Sequence, residues 1–202
     1  MKKDAIENVG VIGNNILTVP TGYDSQLFKP AGEKEKLVMT VSFGNSWNRA
    51  RLKGLDTFVK SAKYLPDIRY LVIGIQGDAL KKLQEMASPN VVFIAPLPQN
   101  ELAHFYQKAK VYCQLSMREG LPNALCEAML CECVPVGTDV QGVRTAIGAT
   151  GFLVPYDDLA ATAEAIGMAL KSDKGKEARE RIMKMFPENR REKELIEMIT
   201  NI

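Results

Sequence analysis

Six short apolar runs, separated by helix-like stretches, constrain the fold of this chain more than anything else in it. From residue 36 onward they are KLVMTVSF (36–43), RYLVIGI (69–75), NVVFIA (90–95), KVYCQLS (110–116), CVPVGT (133–138) and GFLVP (151–155). A strand with one wet face alternates apolar and polar residues, whereas these runs are almost unbroken. That is what parallel strands require when helices cover both faces of their sheet. The stretches between supply such helices. Leu55, Phe58, Val59, Ala62 and Leu65 recur at three- and four-residue spacing, as do Leu159, Ala163, Ile166 and Leu170, so each set lies on one side of a helix. Pro66, Pro98 and Pro155 mark the joins. The alternation predicts a doubly wound, Rossmann-like α/β fold, a six-stranded parallel sheet with helices on both faces. After about residue 174 the pattern becomes two charged amphipathic helices broken at FPEN, with Leu195, Ile196, Ile199 and Ile202 on one side.

Residues 1–35 read differently. NNILTVP is an isolated strand-like run and TGYDSQLFKPAGEKEK is a loop. A lone strand cannot satisfy its own edges. Residues 1–35 are therefore expected to be the remnant of another domain with an interdomain linker, and 36–202 one domain that includes the C-terminal helices.

Composition removes several functional classes. With 46% apolar and 25% charged residues, the chain has the makeup of a soluble globular protein with a sizeable core. A formal net charge of +2 gives no electrostatic reason to expect a nucleic-acid partner. No apolar run approaches the roughly 20 residues that span a bilayer, and MKKDAIENVG lacks a signal-peptide core, so a cytoplasmic location is expected. Cys113, Cys126, Cys131 and Cys133 fall on predicted strand and helix positions, with no CxxC pair and no histidine close by. They are expected to be core thiols in a reducing compartment rather than a metal or redox site. GxGxxG, GxxxxGK[ST] and GxSxG are all missing, and the single histidine, His104, sits in the helical run ELAHFYQKAK. Dinucleotide binding, P-loop chemistry and triad hydrolysis thus lose their signatures. There is no Asp-x-Asp pair to hold a divalent metal on a diphosphate, and neither metal nor cofactor is expected.

In the common strand order 3-2-1-4-5-6, the first and fourth strands are neighbours. Ligands bind in the crevice outside their carboxyl ends. The loop after the first strand, GNSWNRARLKG (44–54), is cationic; the segment after the fourth, SMREGLPN (116–123), leads into a helix. Pro122 suits the first helical position, where its missing N–H costs nothing. The amides of Asn123 and Ala124 would then point out of the helix toward an anion. A helix terminus supplies only about half a positive charge, so a diphosphate needs more, and Arg49, Arg51 and Lys53 offer it. Glu119 and Glu127 are good acceptors for sugar hydroxyls on either side of that diphosphate. Taken singly, three basic loop residues read as solvated, and a glutamate early in a helix as favoured by the dipole. Their convergence on one crevice is what points to a ligand built of ribose, diphosphate and hexose.

These residues carry a family resemblance. EGLPNALCEAMLCECVPVGTDVQGVRTAI resembles the glutamate-x7-glutamate motif of the retaining glycosyltransferases of family four, which have the GT-B fold. KGLDTFVKSAKYLPDIRYLVIG is similar to that family's segment beginning with a phosphate-binding lysine, and TVPTGYDSQLFKP to the linker between its two domains. The resemblance implies that Glu119 contacts donor-sugar hydroxyls, Glu127 accepts from the ribose, and Lys53 neutralises the leaving diphosphate. It also implies that Gly120 and Leu121 offer amides near sugar and phosphate, that Ser116 lines the pocket, and that Ala95, Pro96 and Leu97 lie beside the base. The family usually has one arginine after the first strand; here Arg49 and Arg51 both compete for its role. Asn123 stands where a small residue is commoner. The implied protein is a metal-independent hexosyltransferase using a nucleotide-diphosphate sugar. This chain is its donor-binding half, expected to transfer little without the acceptor-binding domain. Peripheral membrane contact through the full-length protein is compatible with that reading. An epimerase of the same architecture and a non-catalytic nucleotide-sugar-binding domain are the alternatives.

Overall fold

The computed structural model describes residues 19–200. Most of NNILTVP and the final Ile202 lie outside the described residues. Strands β1 (Glu35–Gly44), β2 (Arg69–Ile75), β3 (Val91–Ile94), β4 (Ala109–Gln114), β5 (Val134–Thr138) and β6 (Phe152–Val154) coincide with the six apolar runs. They form one parallel sheet in the order β3-β2-β1-β4-β5-β6. The predicted switch point between β1 and β4 is therefore present.

Nine α-helices connect and flank the strands among the described residues: α1 (Trp47–Leu52), α2 (Leu55–Ser61), α3 (Gly77–Met86), α4 (Gln99–Lys108), α5 (Asn123–Leu130), α6 (Gln141–Ile147), α7 (Leu159–Leu170), α8 (Gly175–Met185) and α9 (Arg190–Thr200). Because successive strand residues point to opposite faces, each central strand feeds two cores. Met39, Ile73 and Tyr112 pack with α4, α5, α6 and α8 on one face. Val38, Val72 and Val111 pack with α1, α2, α3 and α7 on the other. Burial of such side chains stabilises the fold by about 1.5–3 kcal/mol each, which accounts for the absence of alternation in the runs. All four cysteines are buried and unpaired, as core thiols should be. Burial pushes the Cys126 and Cys131 thiols up to about 12. His104 is exposed on α4.

Two local features depart from expectation. The cationic loop contains a short helix, α1: Ser46 caps it by accepting from the Arg49 amide, and Ala50 turns its one buried face inward. Gly54 ends it in the left-handed region at φ 67°. Pro122, expected inside the helix, stands one position before it with extended ψ of 114°, and its carbonyl accepts from the Cys126 amide. Pro122 loses no hydrogen bond at either position, so its fixed φ does not distinguish them.

The segment before β1 is strapped onto the α4–α5–α8 face. Tyr23 pairs through its amide with the Phe186 carbonyl (3.1 Å) and bridges to Pro187. Phe28 is buried against Tyr106. Arg179 donates to the carbonyls of Ser25, Phe28 and Leu130.

Candidate functional site

Two direct contacts bring the loops after β1 and β4 together. The Met117 amide donates to the Leu52 carbonyl at 2.8 Å. Gly54 lies so close to β4 that a Cβ there would fall 2.0 Å from the Leu115 carbonyl oxygen. Only glycine allows that approach, and only glycine tolerates its φ without strain. Lys53, one residue earlier, is thereby delivered to the end of β4. Behind the second loop, a Cβ on Gly142 of α6 would fall 1.9 Å from the Gly120 carbonyl oxygen, so residues 119–120 lie flat on the start of that helix.

The crevice between the loops has a volume of about 490 Å³, within the span of small-molecule clefts. Arg49 and Lys53 line it from the β1 side; Glu119, Leu121, Pro122, Asn123, Ala124 and Glu127 line it from the β4 side, with Leu97 at one end. Lys53 Nζ sits 2.5 Å from Glu119 Oε1. The same carboxylate oxygen accepts from Ser116 Oγ at 2.7 Å and Gln114 Nε2 at 3.0 Å. The first intrahelical bond of α5 comes from the Cys126 amide. The amides of Asn123, Ala124 and Leu125 therefore have no acceptor within the helix.

Glu127 is the one charged side chain of α5, whose other residues from Leu125 to Leu130 are buried and apolar. It is itself only 7% exposed. Gln99 Nε2 donates to its Oε1 (2.9 Å) and the Tyr106 hydroxyl to its Oε2 (3.3 Å). Burial raises its pKa above the ordinary 4.5, and those two hydrogen bonds hold it back. Among the described residues no cation is a hydrogen-bond partner of Glu127, a costly arrangement for a carboxylate. Helix-dipole preference alone would have left it in water.

Several expected residues lie elsewhere. Arg51 points away, exposed and 3.8 Å from Asp56, so of the two competing arginines only Arg49 reaches the crevice. Ser116 is fully buried behind Glu119 and acts on it rather than on the cavity. Ala95 and Pro96 are exposed, and neither they nor Gly120 line the crevice. Sequence reasoning missed Gln99, Tyr106 and Gln114, all of which line it. Gln114 ends β4, and Gln99 and Tyr106 lie on α4, the helix before it; those places were the only available signal.

A cationic wall, a helix start and two fixed carboxylates can together hold an anion flanked by hydroxyl groups. The family described as "Glycosyl transferases group 1" matches residues 38–172. The D-inositol 3-phosphate glycosyltransferase of Corynebacterium jeikeium (strain K411) is 28% identical over 197 residues, 85% of this chain and 47% of its own length. Sucrose-phosphate synthase from Thermosynechococcus elongatus superposes with a TM-score of 0.83 at 22% identity, over 99% of this chain and 56% of its own. A mutant of S. aureus TarM, in complex with Fondaparinux, alpha-GlcNAc-glycerol and UDP, gives 0.80 at 18% identity, over 97% and 41%. The chain thus spans about half or less of the curated relatives' length, and its Rossmann-like fold is that of GT-B glycosyltransferases. With two thirds of its residues inside the matched segment, the chain belongs to the group 1 glycosyltransferase family.

Proposed function

We propose that this chain is the donor-binding half of a retaining hexosyltransferase that uses a nucleoside-diphosphate sugar. The observation that carries the reading is the meeting of Lys53 and Glu119 at 2.5 Å in the crevice, a few residues before the start of α5. Glu127, deeper in the same crevice, holds the ribose hydroxyls, and Leu97 lies toward the base. Glu119 holds hydroxyls of the hexose. Arg49, Lys53 and the first amides of α5 surround the diphosphate between them.

In the transfer step the bond from the anomeric carbon to the diphosphate breaks, and the electron pair leaves with the diphosphate. The acceptor hydroxyl oxygen forms the new bond to that carbon, and its proton passes to the departing diphosphate oxygen. Charge grows on the leaving group, where preorganised cations and amides stabilise it most. Lys53 is divided between Glu119 and that charge, so donor binding exchanges one ion pair for another. The acceptor, and the surface that binds it, belong to the other half of the whole protein. UDP in the TarM complex supports a nucleoside diphosphate as the common element of the ligand.

Calorimetric titration with UDP, GDP and ADP tests the reading. One of them is expected to bind, with Lys53→Ala and Arg49→Ala each weakening it by roughly 10- to 100-fold, the worth of a hydrogen bond to a charged group. Arg51→Ala is expected to change it little. If none of the three binds, or if Lys53→Ala leaves affinity intact, the proposal is wrong.

A further inference from the structure

A one-way chain of hydrogen bonds reaches Glu119 from inside the sheet. The Val41 amide of β1 donates to the Tyr112 hydroxyl at 3.3 Å. Tyr112 is fully buried, and its single proton goes to Gln114 Oε1, also at 3.3 Å. That assigns the ends of the Gln114 carboxamide: its oxygen faces Tyr112, and Nε2 faces the opposite way. Nε2 lies 2.8 Å from Ser116 Oγ and 3.0 Å from Glu119 Oε1, one acceptor for each of its two protons. Ser116, having accepted one proton, gives its own to Glu119 at 2.7 Å. Every donor points toward the carboxylate, and all three that arrive, with Lys53 the third, fall on Oε1.

We infer that Gln114 is a positioning residue for recognition of the donor hexose. It lines the crevice, yet both its amide protons are committed within the protein, so it acts through Glu119 rather than on the sugar. Gln114 and Ser116 keep their hold on Oε1 when Lys53 turns to the diphosphate, so rotation of the carboxylate stays blocked. Oε2 is then the oxygen presented to hydroxyls of the hexose. A carboxylate swinging freely would accept from water or from Lys53 in many orientations and distinguish sugars poorly. This inference rests on the donor-site reading above.

The test compares two affinities, measured by calorimetry on the whole chain: UDP against UDP-glucose, and GDP against GDP-mannose. The readout is their ratio, the factor that the hexose adds. Gln114→Met keeps the length of the side chain and removes its donors; the ratio is expected to fall about tenfold, as for loss of one hydrogen bond to a charged group. A merely structural role would weaken both ligands alike and leave the ratio unchanged. Gln114→Glu is expected to lose the ratio at pH 7.5 and regain it at pH 5.5 relative to wild type at the same pH. There the introduced carboxyl carries a proton that can replace the amide N–H, although it faces Glu119 and Lys53 directly and Arg49 across the crevice. Unchanged ratios in both variants, equal loss in Gln114→Glu at both pH values, or a wild type that holds diphosphate and diphosphate sugar equally would overturn the role of Gln114. A wild type that binds none of these four ligands, nor ADP or ADP-glucose, would instead overturn the donor site itself.

Discussion

Glu127 sits where its charge opposes folding and, on the function proposed above, serves binding. Its folded-state pKa is raised, so the folded chain holds the Glu127 proton more tightly than the unfolded chain does. Stability from this group is fully present below about 4.5 and declines as pH rises through the raised folded value. Glu127→Gln is therefore expected to raise the melting temperature at pH 7.5, with the gain vanishing near pH 4.5. The same substitution should weaken nucleotide binding by roughly 10-fold or more, since a carboxylate accepting from hydroxyls becomes an amide. A scan of melting temperature against pH, run beside calorimetry, separates the two effects. Glu119, Glu127 and Lys53 were legible in the sequence because charge in a predicted crevice is conspicuous. Gln99, Tyr106 and Gln114 were not: they are neutral, and their importance lies in hydrogen-bond directions that no spacing encodes. The choice between Arg49 and Arg51 also needed coordinates, since it turns on which side of a single helical turn each occupies.

Among the elements, the strands were readable because burial on both faces leaves an unbroken apolar signature. Helix α1 was hidden for the opposite reason. Only Ala50 of its residues is buried, so its apolar periodicity is too thin to stand out from a loop. Its boundaries were nevertheless marked, by Ser46 as cap and Gly54 as stop. Gly54 is also where the two site loops touch. Gly54→Ala would combine a left-handed φ, worth about 1–2 kcal/mol, with an overlap that costs a further 1–3 kcal/mol or so. The melting temperature is expected to fall by roughly 5–15 °C. Nucleotide affinity should fall with it, because Lys53 moves when its neighbour does. A full-strength melting profile for Gly54→Ala would show that the loops meet with less constraint than the contact implies.

At the scale of the molecule, the sheet is covered on both faces, yet α9 keeps an apolar side open. Leu195, Ile196 and Ile199 are 39%, 56% and 73% exposed, and none of the described residues of α9 is buried. Charged substitutions there should leave this chain's stability within about 0.5 kcal/mol. Ile199→Glu is thus expected to melt with wild type in a thermal scan; a large drop would mean that the helix packs more tightly than its exposure indicates. Strand alternation made the fold class legible; the common strand order assumed for that class is the one the sheet has, and it places the crevice. The base and the hexose were not: of the three residues expected beside the base only Leu97 lines the crevice, and an aliphatic side chain names no base.

The strap at Tyr23 joins distant parts of the chain at one point. Its backbone clasps Phe186 and Pro187, while its hydroxyl donates to Asn123 Oδ1 at 3.0 Å, at the very start of α5. Tension applied across that clasp would reach the mouth of the crevice through the Tyr23 phenol, and its floor through the contact of Phe28 with Tyr106. The rim of the pocket and the C-terminal helices are in this way anchored to one and the same residue.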